Sequence, residues 1–226
     1  LDAGVRLGPN ALAIAAAGDH ESVPVIPSPR VSIIASGDEL VAPGLTAPAN
    51  QCPDSLSLAI AQLVVEQGGL ITDRFLLNDD PVVIARIAEL AVADSDILVM
   101  IGGAASGDHD FAKAGLFDLG LKIAFADVAM KPGKPVWYGR IGTVHVLGLP
   151  GNPLAALTTA RLFLAPLLTA LAGRDPQEAT TWSGVALGHP IEAAGPRETF
   201  FCAMRSRTSV QIVDHQPASS HFALAQ

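Results

Sequence analysis

Short apolar runs alternate with longer amphipathic segments over most of this chain. The run from Val31 to Ala35 is typical of a strand that is covered on both faces, and the runs at 70–77 and 97–101 have the same character. Apolar residues recur at helical spacing between these runs, which predicts helices over about 56–64, 81–91, 111–119 and 154–172. The alternation predicts an α/β fold in which a mostly parallel sheet carries helices on both faces.

Local signals make this prediction more specific. The segment from Asn78 to Pro81 combines a helix N-cap with proline at the first helical position. A further strand is predicted to end at Ala129-Met130, whereas 136–138 and 144–147 either pair as a hairpin or form separate edge strands. The inward stripe of the helix that begins at Pro81 is predicted to consist of Val83, Ile84, Ile87, Leu90 and Ala91.

The two ends of the chain differ from this central part, which spans 31–174. Residues 1–30 combine a short helix around Leu12 and Ile14 with a stiff, proline-rich connection. Short apolar runs separated by prolines and glycines in 175–226 predict a small β-rich domain at the C-terminal end.

Composition excludes several classes of function. Half of the 226 residues are hydrophobic and the net charge is −8, which favours a well-filled core and argues against a nucleic-acid partner. Cys52 and Cys202 form neither a zinc motif nor a disulfide framework, and no signal peptide is recognisable, so we expect a cytoplasmic protein. The apolar run from Leu154 to Ala172 is long enough for a membrane span, but Arg161 and Pro166 interrupt it. A buried helix is therefore favoured, with no membrane partner.

Acidic residues follow two of the predicted strands. Asp38 and Glu39 come directly after the first strand, and a glycine-rich loop with Asp108 and Asp110 follows the strand at 97–101. Because the carboxyl ends of parallel strands share one edge of a sheet, Asp38 together with Asp108 or Asp110 can share a Mg²⁺ ion. The alternative is that these aspartates only cap turns or helices.

The glycines of this loop, Gly102, Gly103 and Gly107, allow backbone N–H groups to approach an anion closely. The loop matches neither the dinucleotide-binding pattern nor the Walker pattern. His109 is adjacent to the acids, but a lone histidine here is more typical of a structural or exposed residue.

Basic residues and a helix start complete the set. Lys131 and Lys134 are two of only four lysines, and Pro132-Gly133 between them fixes a bend that directs both ammonium groups towards one polyanion. Gly151-Asn152-Pro153 predicts a helix N-terminus whose free N–H groups suit a phosphate. Asp54 opens the helix at 56–64, which predicts a capping role and leaves a role in the site open.

In this order and at these distances the segments resemble the molybdopterin molybdenumtransferase family, which includes the MoeA proteins and the gephyrin E domain. The family's S-x-G-D-E-L, D-S-N, glycine-rich, K-P-G-K-P and G-L-P-G-N-P segments correspond to 36–40, 54–56, 102–110, 131–135 and 148–153. The resemblance runs from about residue 1 to 222 and covers the C-terminal part of the family's chains. The family's N-terminal domains have no counterpart here, so we expect a fragment or a shortened relative.

The resemblance implies a three-layer αβα molybdopterin-binding (MogA-like) domain and a Mg²⁺-assisted reaction. In that reaction molybdate is inserted into adenylylated molybdopterin and AMP is released. The resemblance also implies a homodimer and a contact with the molybdopterin adenylyltransferase. By position, Asp38, Asp54 and Asp108 are the implied catalytic residues, with Asp38 and Asp108 at the metal. The implied ligand-binding residues are Gly37, Glu39, Gly102, Gly103, Ser106, Gly107, Asp110, Lys131, Gly133, Lys134, Pro150, Gly151 and Asn152.

Two positions depart from the family pattern. Ala105 stands where the family usually has serine, and Leu56 replaces the asparagine of D-S-N. Two alternatives therefore stay open: a stand-alone molybdopterin-binding or adenylylating domain, and a scaffold that keeps the fold for dimerisation and partner binding after losing its chemistry.

Overall fold

A computed structural model describes residues 4–44, 50–102, 111–191 and 195–213. Its centre is a six-stranded sheet in the order β4-β1-β5-β9-β8-β6. The strands are β1 (Arg30–Ser36), β4 (Leu70–Leu77), β5 (Ile97–Ile101), β6 (Lys122–Ala126), β8 (Trp137–Ile141) and β9 (Val144–Leu149). The first four strands in that order are parallel, and β8 is antiparallel to both of its neighbours, which confirms the mostly parallel sheet.

Helices cover both faces of this sheet. One face carries α2 (Leu56–Glu66) and a continuous helical run built from α5 (Pro153–Thr159), a π-helical segment (Ala160–Leu164) and α6 (Ala165–Leu171). The other face carries α3 (Pro81–Ala93) and α4 (Phe111–Phe117). A short helix, α1 (Pro9–Ala17), precedes the sheet. The arrangement is a three-layer αβα sandwich.

Strand β1 shows why the apolar run at 31–35 has no alternation. Val31, Ile33 and Ala35 pack towards α2, whereas Ile34 packs towards α3, and all four are fully buried. Successive side chains of a strand point to opposite faces, so a strand buried on both faces is apolar throughout.

Three local predictions need correction. In α3 the buried residues are Ile84, Ala88 and Ala91, while Val83 and Leu90 are exposed. The predicted stripe is therefore confirmed at Ile84 and Ala91, and Ile87 packs against the same core, but it is wrong at Val83 and Leu90. α4 lies close to the first turn of α3, where a Cβ at Gly115 would be 2.8 Å from the carbonyl oxygen of Pro81, and small residues such as Ala88 suit such close packing.

The prediction of a strand ending at Ala129-Met130 is also wrong. β6 ends at Ala126, and β7 (Met130–Lys131) pairs instead with β11 (Glu198–Thr199) in a separate ladder. The hairpin of β8 and β9 is confirmed, but neither strand lies at an edge, because β5 flanks β9 and β6 flanks β8.

The C-terminal part forms a small sheet, as predicted. β10 (Ala186–Leu187), β12 (Ala203–Arg205) and β13 (Ser209–Ile212) pair in the order β10-β13-β12. The β11–β7 pair joins this part to the region of Lys131, because Phe200 N–H donates to the Lys131 carbonyl at 2.7 Å.

By length and composition the helical run Pro153–Leu171 could cross a membrane. Half of its most apolar window is buried within the protein. Ala156, Ala160, Leu164 and Leu168 form part of the core against α2 and the sheet, as expected for a buried helix.

Tyr138 and His145 form a polar pair on neighbouring strands β8 and β9, with the Tyr138 hydroxyl 2.7 Å from Nδ1 of His145. Burial lowers the pKa of His145 below its ordinary value of 6.5; the Arg140 guanidinium lowers it further, and the Asp96 carboxylate acts in the opposite direction. The folded protein therefore favours the neutral imidazole.

We expect the free energy of unfolding to decrease as the pH falls through the ordinary pKa of His145. The His145 side chain takes up its proton at the ordinary pKa in the unfolded chain and at a lower pKa in the folded chain. The stability that it contributes is therefore fully present above pH 6.5, and its loss levels off below the folded pKa. Urea unfolding between about pH 7.5 and 5.5 should show a smaller loss in His145→Phe than in the wild type. Equal losses would exclude a contribution from His145.

Candidate functional site

Strand ends bring the predicted segments to one edge of the sheet. β1, β5 and β9 are parallel and end at Ser36, Ile101 and Leu149, so the segments after them share this carboxyl edge. β8 runs in the opposite direction and begins there, with Trp137 paired with Gly148. The lysine bend, residues 131–135, therefore also lies at the carboxyl edge. The chain leaves β1 on one side for β4 and returns past it to β5, and ligands of open α/β sheets bind at such a switch point.

Three of these segments touch through their backbones. Gly102 has φ +88°, and a Cβ at this position would lie 2.3 Å from the Ser36 carbonyl oxygen. On its other side, a Cβ at Gly151 would be 3.6 Å from the Gly102 Cα, and Gly102 N–H donates to the Leu149 carbonyl. Only glycine fits at residue 102, because both the conformation and the space exclude a side chain.

The acidic side of the edge contains Asp79, a residue that was not predicted from the sequence as part of the site. The exposed Asp38 carboxylate accepts a hydrogen bond from Asp79 N–H through Oδ1 at 3.1 Å. Oδ1 of Asp79 is buried and has no hydrogen-bond partner among the described residues. The adjacent Asp80 is the cap of α3 and accepts from the N–H groups of Val82 and Val83. Asp79 is therefore not needed for capping.

Asp54 has the geometry of a helix cap. Its carboxylate accepts from the backbone N–H of Ser57 at 3.0 Å and from the Ser57 hydroxyl, and its side chain is buried. Its position is fixed by the parallel pair of β2 (Leu40–Val41) and β3 (Cys52–Pro53), since Asp54 N–H donates to the Val41 carbonyl. A catalytic role for Asp54 stays a prediction. Glu39 is exposed, and its carboxylate folds back against Gly37.

The lysine bend is held rigidly while both its lysines remain exposed. The Lys131–Pro132 peptide bond is cis, and Val136 N–H donates to the Gly133 carbonyl at 3.0 Å. Gly133 has φ +108°, and a Cβ there would lie 2.4 Å from Cγ2 of Thr159. Because the bend packs directly on α5, the two ammonium groups project from a fixed base.

The start of α5 is a regular capped helix end. Asn152 accepts from Ala155 N–H through its side-chain oxygen at 3.1 Å, and Pro153 is the first helical residue. Pro150 is buried and Gly151 is exposed. Backbone N–H groups at this end carry the positive pole of a helical run that extends to Leu171, which favours an anion.

A cavity of about 600 Å³ adjoins the bend on the side of the C-terminal sheet. Lys131, His189 and Arg197 contribute basic side chains to its lining. His189 and Arg197 are not among the site residues predicted from the sequence. The β7–β11 pairing that brings them to Lys131 joins strands of only two residues across a long sequence separation, so no local pattern announces it.

Part of the predicted site lies outside the described residues, namely Gly103, Ser106, Gly107, Asp108 and Asp110. The predicted metal pair of Asp38 and Asp108 therefore stays a prediction. Within the described ranges, no group of three or more His, Cys, Asp or Glu side chains is placed to hold a metal ion. The pair of Asp38 and Asp79 still suits Mg²⁺, which takes one or two carboxylates and completes its shell with water and phosphate oxygens.

Comparison with known proteins agrees with this fold. The family model described as "Probable molybdopterin binding domain" matches residues 32–170. The molybdopterin molybdenumtransferase of Nostoc sp. (strain PCC 7120) is 32% identical over 229 residues, covering 98% of this chain and 51% of that protein. Molybdopterin molybdenumtransferase 2 of Mycobacterium tuberculosis is 28% identical over 218 residues, covering 94% of this chain and 54% of that protein.

A solved structure shows the same fold. The molybdopterin biosynthesis moea protein from Pyrococcus horikosii superposes with a TM-score of 0.78 at 28% identity, covering 94% of this chain and 52% of that one. The α/β molybdopterin-binding fold predicted from the sequence is confirmed. The chain spans about half the length of the curated relatives it matches. It belongs to the molybdopterin-binding domain family, in which the relatives it matches include molybdopterin molybdenumtransferases.

Proposed function

We propose that this chain acts in molybdenum cofactor biosynthesis as the substrate-binding half of a molybdopterin molybdenumtransferase. The proposed reaction is the Mg²⁺-dependent insertion of molybdate into adenylylated molybdopterin, with release of AMP. One observation carries the proposal: Asp38, Gly102, the lysine bend and the start of α5 share the carboxyl edge of a molybdopterin-binding fold. These groups offer carboxylates for a cation and ammonium and N–H groups for a pyrophosphate.

Asp38 and Asp79 supply the acidic half of the site. Oδ1 of Asp79 is buried without a partner among the described residues, and the backbone N–H of Asp79 donates to the Asp38 carboxylate, so the two aspartates are neighbours at this edge and a divalent cation would complete their interactions. We propose that these two residues hold Mg²⁺, together with Asp108 of the glycine-rich loop. When bound, the ion would neutralise negative charge on the pyrophosphate of the substrate.

Lys131 and Lys134 supply the basic half. Both ammonium groups are exposed on a bend that Gly133 fixes against Thr159. As the anhydride bond breaks and AMP leaves, negative charge grows on the phosphate oxygens, and ammonium groups carried on a packed bend would stabilise that charge. The N–H groups at the start of α5 add to this stabilisation.

The basic cavity suits the second substrate. Molybdate is a compact oxyanion, and Lys131, His189 and Arg197 line one open cavity beside the bend. We propose that molybdate binds there. Lys131 belongs to both the bend and the cavity, so the oxyanion would lie next to the pyrophosphate of the ligand.

The proposal also includes the domain division at residues 30 and 174, a homodimer, a contact with the molybdopterin adenylyltransferase and a cytoplasmic location. An apolar surface in the N-terminal part supports a protein partner: the side chains of Leu12 and Ile14 in α1 are 53% and 60% exposed, and those of Val25 and Ile26 are exposed as well. Exposed apolar patches of this kind are typical of interaction surfaces.

Release of AMP from adenylylated molybdopterin, measured with molybdate and Mg²⁺ present, tests the proposal. We expect the wild-type chain to release AMP and Lys134→Ala to bind the substrate about tenfold more weakly, with a smaller dependence on salt. Lys122→Ala is the matched control, because Lys122 is an exposed lysine at the opposite end of the sheet, where β6 begins.

The outcomes separate the alternatives. Binding without AMP release would favour a stand-alone binding domain, and absence of both would favour a scaffold. Equal affinity of Lys134→Ala and the wild type would reject the lysine bend as the pyrophosphate site.

A further inference from the structure

Two side-chain atoms of the described residues are buried without a hydrogen-bond partner, and both lie at the carboxyl edge. They are Oδ1 of Asp79, already discussed, and Oγ of Ser36, whose residue is only 4% exposed. Ser36 is the last residue of β1 and is in register with Leu77, the last residue of β4. An unpaired buried hydroxyl destabilises the folded state, so natural proteins rarely keep one without a reason.

Another serine of the same strand shows the usual arrangement. Oγ of Ser32 lies 2.7 Å from Oγ1 of Thr72 on β4, so its hydroxyl is satisfied inside the protein. Both serines are almost fully buried. The difference is position, because Ser32 lies in the middle of the sheet and Ser36 at the switch point between β1 and β5.

The surroundings of Ser36 suit a ligand. A Cβ at Gly102 would lie 3.6 Å from Oγ of Ser36, so the hydroxyl is close to the start of the glycine-rich loop. Gly151, the residue before the cap of α5, approaches Gly102 from the other side. The backbones of the two glycines, Gly102 and Gly151, thus meet beside a hydroxyl that lacks a hydrogen-bond partner. A phosphate oxygen is the acceptor that this combination fits, since a hydroxyl binds a charged oxygen more strongly than a neutral one.

We propose that the Ser36 hydroxyl donates a hydrogen bond to a phosphate oxygen of the bound pterin ligand and positions that phosphate against the start of α5. The inference rests on the proposed function, because it assumes a phosphorylated ligand at the carboxyl edge.

Ser36→Ala separates this role from a structural one. Without ligand, the melting temperature of Ser36→Ala should equal or exceed that of the wild type, because the substitution removes an unsatisfied buried group. The affinity for adenylylated molybdopterin, and separately for inorganic pyrophosphate, should fall about tenfold or more in titration calorimetry. Ser36→Thr keeps the hydroxyl and should restore most of the affinity. Ser32→Ala, the control, should lower the melting temperature and leave the affinity unchanged.

Each outcome has one meaning. A lower melting temperature of ligand-free Ser36→Ala with unchanged affinity would show that the hydroxyl is structural and would overturn the inference. Equal affinities of Ser36→Ala and a wild type that binds would overturn the inference while the proposed function stands. A wild type that binds neither probe would overturn both.

Discussion

Replacing Asp38 by alanine is expected to lower the turnover of adenylylated molybdopterin about 100-fold or more and to leave the melting temperature nearly unchanged. Asp38 is exposed and contributes little to the core, and its carboxylate contacts the backbone of Asp79 at the proposed Mg²⁺ site. AMP release measured against Mg²⁺ concentration is the appropriate assay. Asp118→Ala, which removes an exposed carboxylate just after α4, should behave as the wild type.

Asp38→Asn makes this experiment sharper. The amide oxygen can still accept the hydrogen bond from Asp79 N–H, whereas the negative charge is lost. We expect Asp38→Asn to be nearly as inactive as Asp38→Ala. Full activity of Asp38→Asn would show that Asp38 only orients the turn after β4 and does not bind the cation.

Gly102→Ala is expected to destabilise the fold by about 2–5 kcal/mol, the largest stability effect predicted for a single site here. Part of this cost is the left-handed conformation at φ +88°, and the rest is the collision of the new Cβ with the Ser36 carbonyl oxygen. Urea unfolding measures the sum. Ligand binding should also weaken, because relief of the collision separates β1 from β5 at the switch point.

Gly120→Ala separates the two costs. Gly120 has φ +84°, nearly the same as Gly102, but no heavy atom lies within 4 Å of its added Cβ. We therefore expect this variant to lose only the conformational part, about 1–2 kcal/mol. Equal losses at Gly102 and Gly120 would mean that β1, β5 and the start of α5 are not in close contact.

Parallel strand pairing explains why much of the candidate site could be predicted from the sequence. The apolar runs that end at Ser36, Ile101 and Leu149 are strands buried on both faces, and such strands occur in parallel sheets whose carboxyl ends share an edge. Positions just after these runs were therefore expected to converge. The described parts of them do converge, through Gly102 and Gly151.

Asp79 shows what such reasoning misses. Its segment, Asn78 to Pro81, is fully explained as a helix start, so nothing in the sequence distinguishes the capping Asp80 from its neighbour. The distinction depends on strand order, because only the position of β4 beside β1 brings Asp79 to Asp38. Strand order depends on long-range contacts that no local pattern records.

The prediction of the buried face of α3 was partly wrong for a related reason. Val83 and Leu90 were expected to point inward but are exposed, whereas Ala88, which was not predicted, is buried. α4 approaches the first turn of α3 closely, and small side chains suit such close packing. Hydrophobicity alone indicates that a helix has an inner face but not how tightly its neighbours approach.

The most direct test of the central claim is a crystal structure of the chain with adenylylated molybdopterin and Mn²⁺, whose anomalous scattering locates the cation. We expect Mn²⁺ between Asp38 and the pyrophosphate oxygens, with the other side of the pyrophosphate against Lys134 and the start of α5. Ligand bound elsewhere, for example in the N-terminal cavity lined by Arg6 and His20, would contradict the account.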